Sequence, residues 1–189
     1  MTVESNPSAG SAINRRRFLS MAGGGVALSV LAAGLPSTAL GAVRSVVPFY
    51  HAHTGEEISL EIGAGGYCTA PDSVRINEFL RDFRTGEVHP IDPQLLETLR
   101  LLRLEAGGTG TFEVISGYRS PITNATLRAR SSGVAKRSLH MYGMAIDVRL
   151  SGISTRGLRN VARRLRRGGV GYYRSSRFIH IDTGRVRNW

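Results

Sequence analysis

Cysteine is nearly missing from this 189-residue chain, where Cys68 stands alone. No intramolecular disulfide can form, and metal sites built on several thiolates are excluded. Any zinc must therefore be held by histidine and carboxylate. Acidic residues are also scarce, 14 against 25 lysines and arginines, which leaves a net charge of +11. Such a chain is drawn to polyanions, whether nucleic acid, anionic lipid or an acidic wall polymer. The basic residues nonetheless lack the aromatic interleaving and the motifs of a nucleic-acid module, so no nucleic-acid partner is expected. A convincing membrane span is absent too. The apolar stretch from Met21 to Leu35 is short and broken by Gly23-Gly24-Gly25, whereas a spanning helix needs about 20 mostly apolar residues.

What precedes that stretch explains it. Asn14-Arg15-Arg16-Arg17-Phe18-Leu19 sets arginines ahead of a weakly hydrophobic core, and Ser37-Thr38-Ala39-Leu40-Gly41-Ala42 follows Pro36. This order resembles a twin-arginine export signal with a peptidase site between Ala39 and Ala42. Residues 1–42 are read as that leader and 43–189 as one mature domain, with the periplasm as the expected destination. No cysteine lies at the cleavage region, which argues against a lipoprotein. The leader carries three arginines and Glu4, so the remaining 147 residues keep a net +9. That length supports one domain with its own core.

Periodicity predicts an α+β domain, helices packed on a small, mostly antiparallel sheet. Val46–Tyr50 and Ile58–Ile62 read as strands joined by a connection over 53–57. Pro71-Asp72 opens a helix whose apolar positions Val74, Ile76, Phe79, Leu80 and Phe83 carry it to about 83. Asp92-Pro93 caps a second helix with a leucine stripe. Phe112–Ser116 is a strand, Thr123–Arg130 a short helix, Ser131–Arg137 a loop. Met144–Leu150 alternates, placing Ala145, Asp147 and Arg149 on one face. Thr155–Arg167 is a basic helix behind Ser154. Gly168–Tyr173 reads as a turn back to a final strand, Arg177–Asp182, with Phe178, His180 and Asp182 on one face. The order suggests helices first and the sheet in the carboxy-terminal half. There is no internal repeat.

The chemistry lies in Ser138-Leu139-His140-Met141-Tyr142-Gly143-Met144-Ala145-Ile146-Asp147, followed later by His180-Ile181-Asp182. Two imidazoles and a carboxylate are the usual donors of a catalytic zinc, which leaves a fourth position open. If the last strand lies antiparallel beside Met144–Leu150, His180 falls opposite or diagonal to Asp147. Either residue alone reads more simply as a satisfied core group. Together they put ionisable side chains on strands whose other faces are apolar, and burying them unpaired is expensive. Arg119, in the turn Ser116-Gly117-Tyr118-Arg119-Ser120-Pro121, is placed to clamp a carboxylate or stabilise an oxyanion. Tyr118 reads as packing and Cys68 as a small packed thiol. His51, His53 and His89 lack ligand-spaced partners, although His51 and His53 could share a strand face.

The pattern Ser-x-His-x-x-Gly-x-Ala-x-Asp with a later His-x-Asp, preceded by Ser-Gly-Tyr-Arg-Ser, resembles the peptidase M15 superfamily of zinc peptidases. The likeness is nearest to its YcbK-like murein endopeptidase branch and runs through Ser131–Lys136, Gly168–Tyr173 and His180–Arg187. The resemblance implies the hedgehog/DD-peptidase type of fold, zinc on His140, Asp147 and His180, and Arg119 polarising the substrate. It implies an exported enzyme that hydrolyses peptide cross-links of peptidoglycan. One position departs from the pattern. Many superfamily members carry a glutamate or histidine two or three residues before the last ligand as general base, where this chain has Phe178 and Arg177. Asp182 is the nearest replacement, either handling a proton or orienting His180. A carboxypeptidase acting on stem peptides, or a wall-binding domain without turnover, fits the same residues.

Overall fold

A computed structural model describes residues 44–189, so the leader and its cleavage region lie outside the described residues. Seven strands form one sheet: β1 (Ser45–His51), β2 (Glu57–Ile62), β3 (Phe112–Ser116), β4 (Ala145–Leu150), β5 (Gly169–Tyr173), β6 (Phe178–Asp182) and β7 (Arg187–Asn188). Their spatial order is β2-β1-β3-β4-β6-β5-β7. Four neighbouring pairs are antiparallel and two, β1–β3 and β5–β7, are parallel. The four α-helices are α1 (Ala70–Phe79), α2 (Pro93–Glu105), α3 (Pro121–Arg130) and α4 (Thr155–Leu165). The expected α+β class with a mostly antiparallel sheet is what the chain adopts. The amino-terminal hairpin is not separate from the later sheet, because β1 pairs with β3 and carries β2 along.

Each helix starts where a hydroxyl or carboxylate can cap it. Thr69, Asp92, Ser120 and Ser154 each accept a hydrogen bond from a first-turn amide, and proline follows three of them within the first turn. α1 stops at Phe79, short of the predicted Phe83. Apolar spacing does continue past that point, but Asp82 ends the helix. Its backbone pairs with Glu87, and its buried carboxylate accepts from the Arg84 and Ser120 amides. The basic helix ends at Leu165, with Arg166 in the left-handed region at φ 51°.

Alternation decides which face of the sheet is core. Ile146, Val148 and Leu150 of β4 and Ile179 and Ile181 of β6 are buried with Leu95, Leu99 and Leu102 of α2 and Leu158, Val161 and Ala162 of α4. Each valine, leucine or isoleucine among them contributes roughly 1.5–3 kcal/mol on burial. The intervening residues, Asp147 and His180 among them, emerge on the opposite face. Gly168–Tyr173, predicted as a turn, is instead largely strand β5, and β7 was not foreseen.

Candidate metal centre

Strand register brings two of the three candidate ligands together. Asp147 pairs directly with His180 across β4 and β6. The third, His140, sits on a short 3-10 turn (Leu139–Tyr142) that ends at Gly143 with φ 65°. A side chain at Gly143 would meet the Pro90 carbonyl, so this turn needs glycine for both conformation and space. All three are buried, His140 to 2% exposure, Asp147 to 7% and His180 to 8%. Their donor atoms form a small triangle. His180 Nδ1 lies 2.9 Å from Asp147 Oδ1 and 3.2 Å from His140 Nε2, and His140 Nε2 lies 3.4 Å from Asp147 Oδ1.

The outer nitrogens fix how the rings present themselves. His140 Nδ1 is 2.8 Å from the Gly117 carbonyl, which can only accept, so that nitrogen carries hydrogen and Nε2 offers its lone pair inward. His180 Nε2 is 3.0 Å from the Asp182 carboxylate and by the same logic donates outward, aiming Nδ1 at the centre. One proton between His180 and Asp147 satisfies a single edge of the triangle. A divalent cation satisfies all three, and this donor set of two imidazoles and a carboxylate suits zinc. Among the described residues, His140, Asp147 and His180 are the group with metal-ligand spacing.

Electrostatics agree with an anionic, proton-competing site. Burial opposes the charged form of Asp147, but His140 and His180 outweigh it and hold the carboxyl well below the usual carboxylate range. Burial pulls His140 down, and Asp147 only partly counters it. Burial also pulls on His180, yet its hydrogen bonds to Asp147 and Asp182 prevail and raise its pKa above the ordinary 6.5. Protonation of His180 Nδ1 is thereby favoured, and that proton competes with a metal for the same lone pair. Zinc affinity should fall as pH drops through that raised pKa, with a proton released on binding near neutrality. Calorimetry in buffers of differing ionisation enthalpy measures that proton; binding with none released near neutrality would contradict this.

The supporting groups are equally specific. Asp182 is fully buried. Its Oδ1 accepts from the Gly169 and Gly184 amides at 3.1 and 2.9 Å and from Arg187 Nη1 at 2.9 Å. Its Oδ2 accepts from Arg187 Nη2 at 2.7 Å as well as from His180. A carboxylate engaged by five donors has little capacity left to take a proton. Burial works against its charged form, but these donors hold its pKa well below the carboxylate range. Its geometry is that of a residue that orients His180.

Arg119 reaches the site from the turn after β3. A register shift in β3 sets Ser116, rather than Ile115, across from Asp147. Arg119 Nη2 lies 3.4 Å from Ser116 Oγ and 3.6 Å from Asp147 Oδ2, while its buried Nε has no partner. The turn is braced by the Arg119 amide donating to the His140 carbonyl and by Asp82 accepting from the Ser120 amide. These side chains open into a groove of about 430 Å³ also lined by Ser138, Tyr173, Phe178, Arg187 and Trp189. Apart from Asp147, no acidic side chain among the described residues lines it. A larger depression of about 710 Å³ lies around Glu113 and Arg149. There the Arg149 guanidinium is already consumed by Glu113 and the Ser176 and Arg177 carbonyls, and among the described residues no cluster of three metal-ligating side chains adjoins it.

A family profile described as peptidoglycan L,D-endopeptidase MepK matches residues 39–189. The chain belongs to this family. The peptidoglycan L,D-endopeptidase MepK of Escherichia coli (strain K12) is 42% identical over 180 residues, which is 93% of this chain and 97% of that protein. The probable peptidoglycan L,D-endopeptidase MepK of Haemophilus influenzae is 40% identical over 181 residues, 93% of this chain and 95% of its own length. No solved structure matches the chain.

Several site residues escaped the sequence reading. Arg187, Trp189 and Tyr173 were not singled out, and Asp82 was taken as an ordinary position of a helix. Trp189 packs on the sheet because Gly171, which pairs with His180, has no side chain; a Cβ there would lie 2.7–2.9 Å from the indole. The indole sits 5.3 Å from the His180 ring, with the Arg187 guanidinium 4.8 Å from its own centre. Trp189 Nε1, a donor only, bonds to the Tyr173 hydroxyl oxygen at 3.3 Å. The Tyr173 O–H remains free to donate toward the groove. Among the described residues His51 and His53 join no metal-ligating group: His51 is buried among Phe79, Phe83 and His53, with Nδ1 accepting from the His53 and Thr54 amides.

Proposed function

We propose that this chain hydrolyses L,D peptide cross-links of peptidoglycan, with zinc held by His140, Asp147 and His180. It is a peptidoglycan endopeptidase of the metallopeptidase type, as its membership of the family and the buried His-Asp-His group together support. The observation that carries the metal assignment is the inward convergence of three donor atoms whose outer partners have already fixed the imidazole tautomers.

Zinc bound there supplies Lewis acidity and makes water acidic enough to ionise near neutral pH. The chain's own residues do the rest. Arg119, which lines the groove with Nη2 3.6 Å from Asp147 Oδ2, donates to the scissile carbonyl as negative charge develops on its oxygen. The Tyr173 hydroxyl is a second donor facing substrate. Asp182 and Arg187 form a bidentate pair that locks His180, and the Gly117 carbonyl locks His140. Burial of the ligands keeps these interactions in a low-dielectric setting. With no acidic side chain besides Asp147 on the groove among the described residues, Asp182 serves as a positioning residue and not as the missing general base.

The export reading joins this proposal. Residues 1–42 act as a twin-arginine leader and the peptidase domain works in the periplasm, where its substrate lies. No helix among the described residues is long and apolar enough to cross a membrane. The test is digestion of purified sacculi with residues 43–189, with and without chelator, and mass analysis of the products. Cross-linked dimers should split at the L,D bond, and chelator should abolish the reaction. Release of single amino acids would instead indicate a carboxypeptidase, and bound but undigested sacculi a wall-binding domain.

A further inference from the structure

Beyond Trp189 lies a second pocket, of about 250 Å³, lined by Arg159, Arg163, Val170, Tyr172, Asn188 and Trp189. Trp189 lines both this pocket and the metal groove, so the two depressions adjoin at that residue. Arg159 and Arg163 stand four residues apart on α4 and therefore project from the same side of the helix. No acidic side chain among the described residues lines the pocket. Residues 155–165 contain no aspartate or glutamate, and no ion pair among the described residues involves Arg156, Arg159, Arg163, Arg164 or Arg166. Arg159 is held in place, its guanidinium 4.8 Å from the centre of the Tyr172 ring and bonded to Asn160 Oδ1. Arg163 is exposed, and among the described residues its side chain has no ion-pair partner.

A solvated basic helix face needs no pocket. Here two unneutralised guanidinium groups border a concavity that shares a wall with the metal groove. An extended anionic polymer lying in the groove meets them next. We propose that this pocket is an anion subsite that receives a stem-peptide carboxylate of the peptidoglycan strand whose cross-link occupies the metal groove. The inference rests on a wall substrate in that groove. Each guanidinium forms charge-assisted hydrogen bonds to a carboxylate, the geometry for which arginine is suited. The subsite lies away from the reacting bond, so it strengthens hold on the polymer while leaving chemistry on a short substrate unchanged.

The test compares the wild type with R159E/R163E, and with R163E alone because Arg163 has no ion pair among the described residues to lose. Retention on purified sacculi at low salt should fall about tenfold in the double variant, as expected from two exposed charge contacts reversed in sign. At saturating substrate, kcat on a short soluble cross-linked muropeptide dimer should stay within about twofold of the wild type, since neither residue reaches the groove's donors, while KM for the dimer, which carries the same carboxylates, should rise. Equal retention by wild type and both variants overturns the subsite. So does unchanged retention on sacculi together with lost binding to phosphatidylglycerol vesicles, which would assign the arginines to lipid. A wild type that leaves the dimer intact contradicts the proposed function instead, and a charge-dependent difference in sacculus retention would still support the subsite.

Discussion

His140→Ala leaves a folded protein that neither retains zinc nor cleaves murein. The fold survives because the turn that carries His140 is held by main-chain bonds: the Arg119 amide to the His140 carbonyl, the Thr183 amide to the Met144 carbonyl, and the Asp92 amide to the Gly143 carbonyl. What is lost is the side-chain bond to the Gly117 carbonyl, the Nε2 contacts with His180 and Asp147 and the packing of a buried ring, on the order of a few kcal/mol, within the stability margin of an ordinary domain. The activity does not survive, because two donors cannot close the triangle of His140 Nε2, Asp147 Oδ1 and His180 Nδ1. The rate on sacculi should drop at least about a thousandfold, a small part of what such enzymes supply over the uncatalysed reaction. Metal analysis should show near-stoichiometric zinc in the wild type and almost none in the variant, with matching circular dichroism. Retained zinc-dependent cleavage by the variant would remove His140 from the site.

Asp182→Asn separates the two roles open to that carboxylate. An orienting Asp182 accepts the His180 Nε2 hydrogen, and this aims an unprotonated Nδ1 at the metal. An asparagine that turns its amide nitrogen toward His180 reverses the tautomer and places a hydrogen on the atom that should ligate. It also leaves the Arg187 guanidinium without its bidentate partner. Zinc affinity should weaken by about 10–100-fold, the usual cost of losing an outer partner of a metal ligand. Excess zinc should then restore part of the activity. A general base would behave differently: zinc would bind as in the wild type and activity would remain low at any zinc concentration. Metal titrations and rates measured on the same preparation tell these apart.

Much of this site was legible because strands alternate strictly. Asp147 and His180 each sit between buried apolar neighbours, Ile146 and Val148 on one strand and Ile179 and Ile181 on the other. That pattern alone assigns both side chains to the face away from the core, and antiparallel pairing then sets them opposite each other. Residues whose role depends on distant partners were not legible. Gly168–Tyr173 looks like a turn because of its glycines, yet Gly169 and Gly171 are small so that Asp182, Arg187 and Trp189 can approach the strand. Phe83 continues a helical spacing, but Asp82 is drawn away by the Ser120 amide, 38 residues further along the chain. Local periodicity carries no information about either contact.

The resemblance reached from these motifs agrees with the family profile and with relatives covering nearly the whole chain. The geometry adds a division of labour among the acidic residues of the site. Asp147 faces the centre, and Asp182 faces Arg187 and the backbone. Among the described residues the groove is lined by the donors Arg119 and Tyr173 and by no acidic side chain besides Asp147.

The most direct measurement is anomalous diffraction at the zinc absorption edge from crystals of the zinc-loaded domain. A single peak should lie about 2.0–2.2 Å from His140 Nε2, Asp147 Oδ1 and His180 Nδ1 together. A peak on other residues, or none from crystals of fully active protein, would contradict the assignment of these three side chains to a catalytic metal.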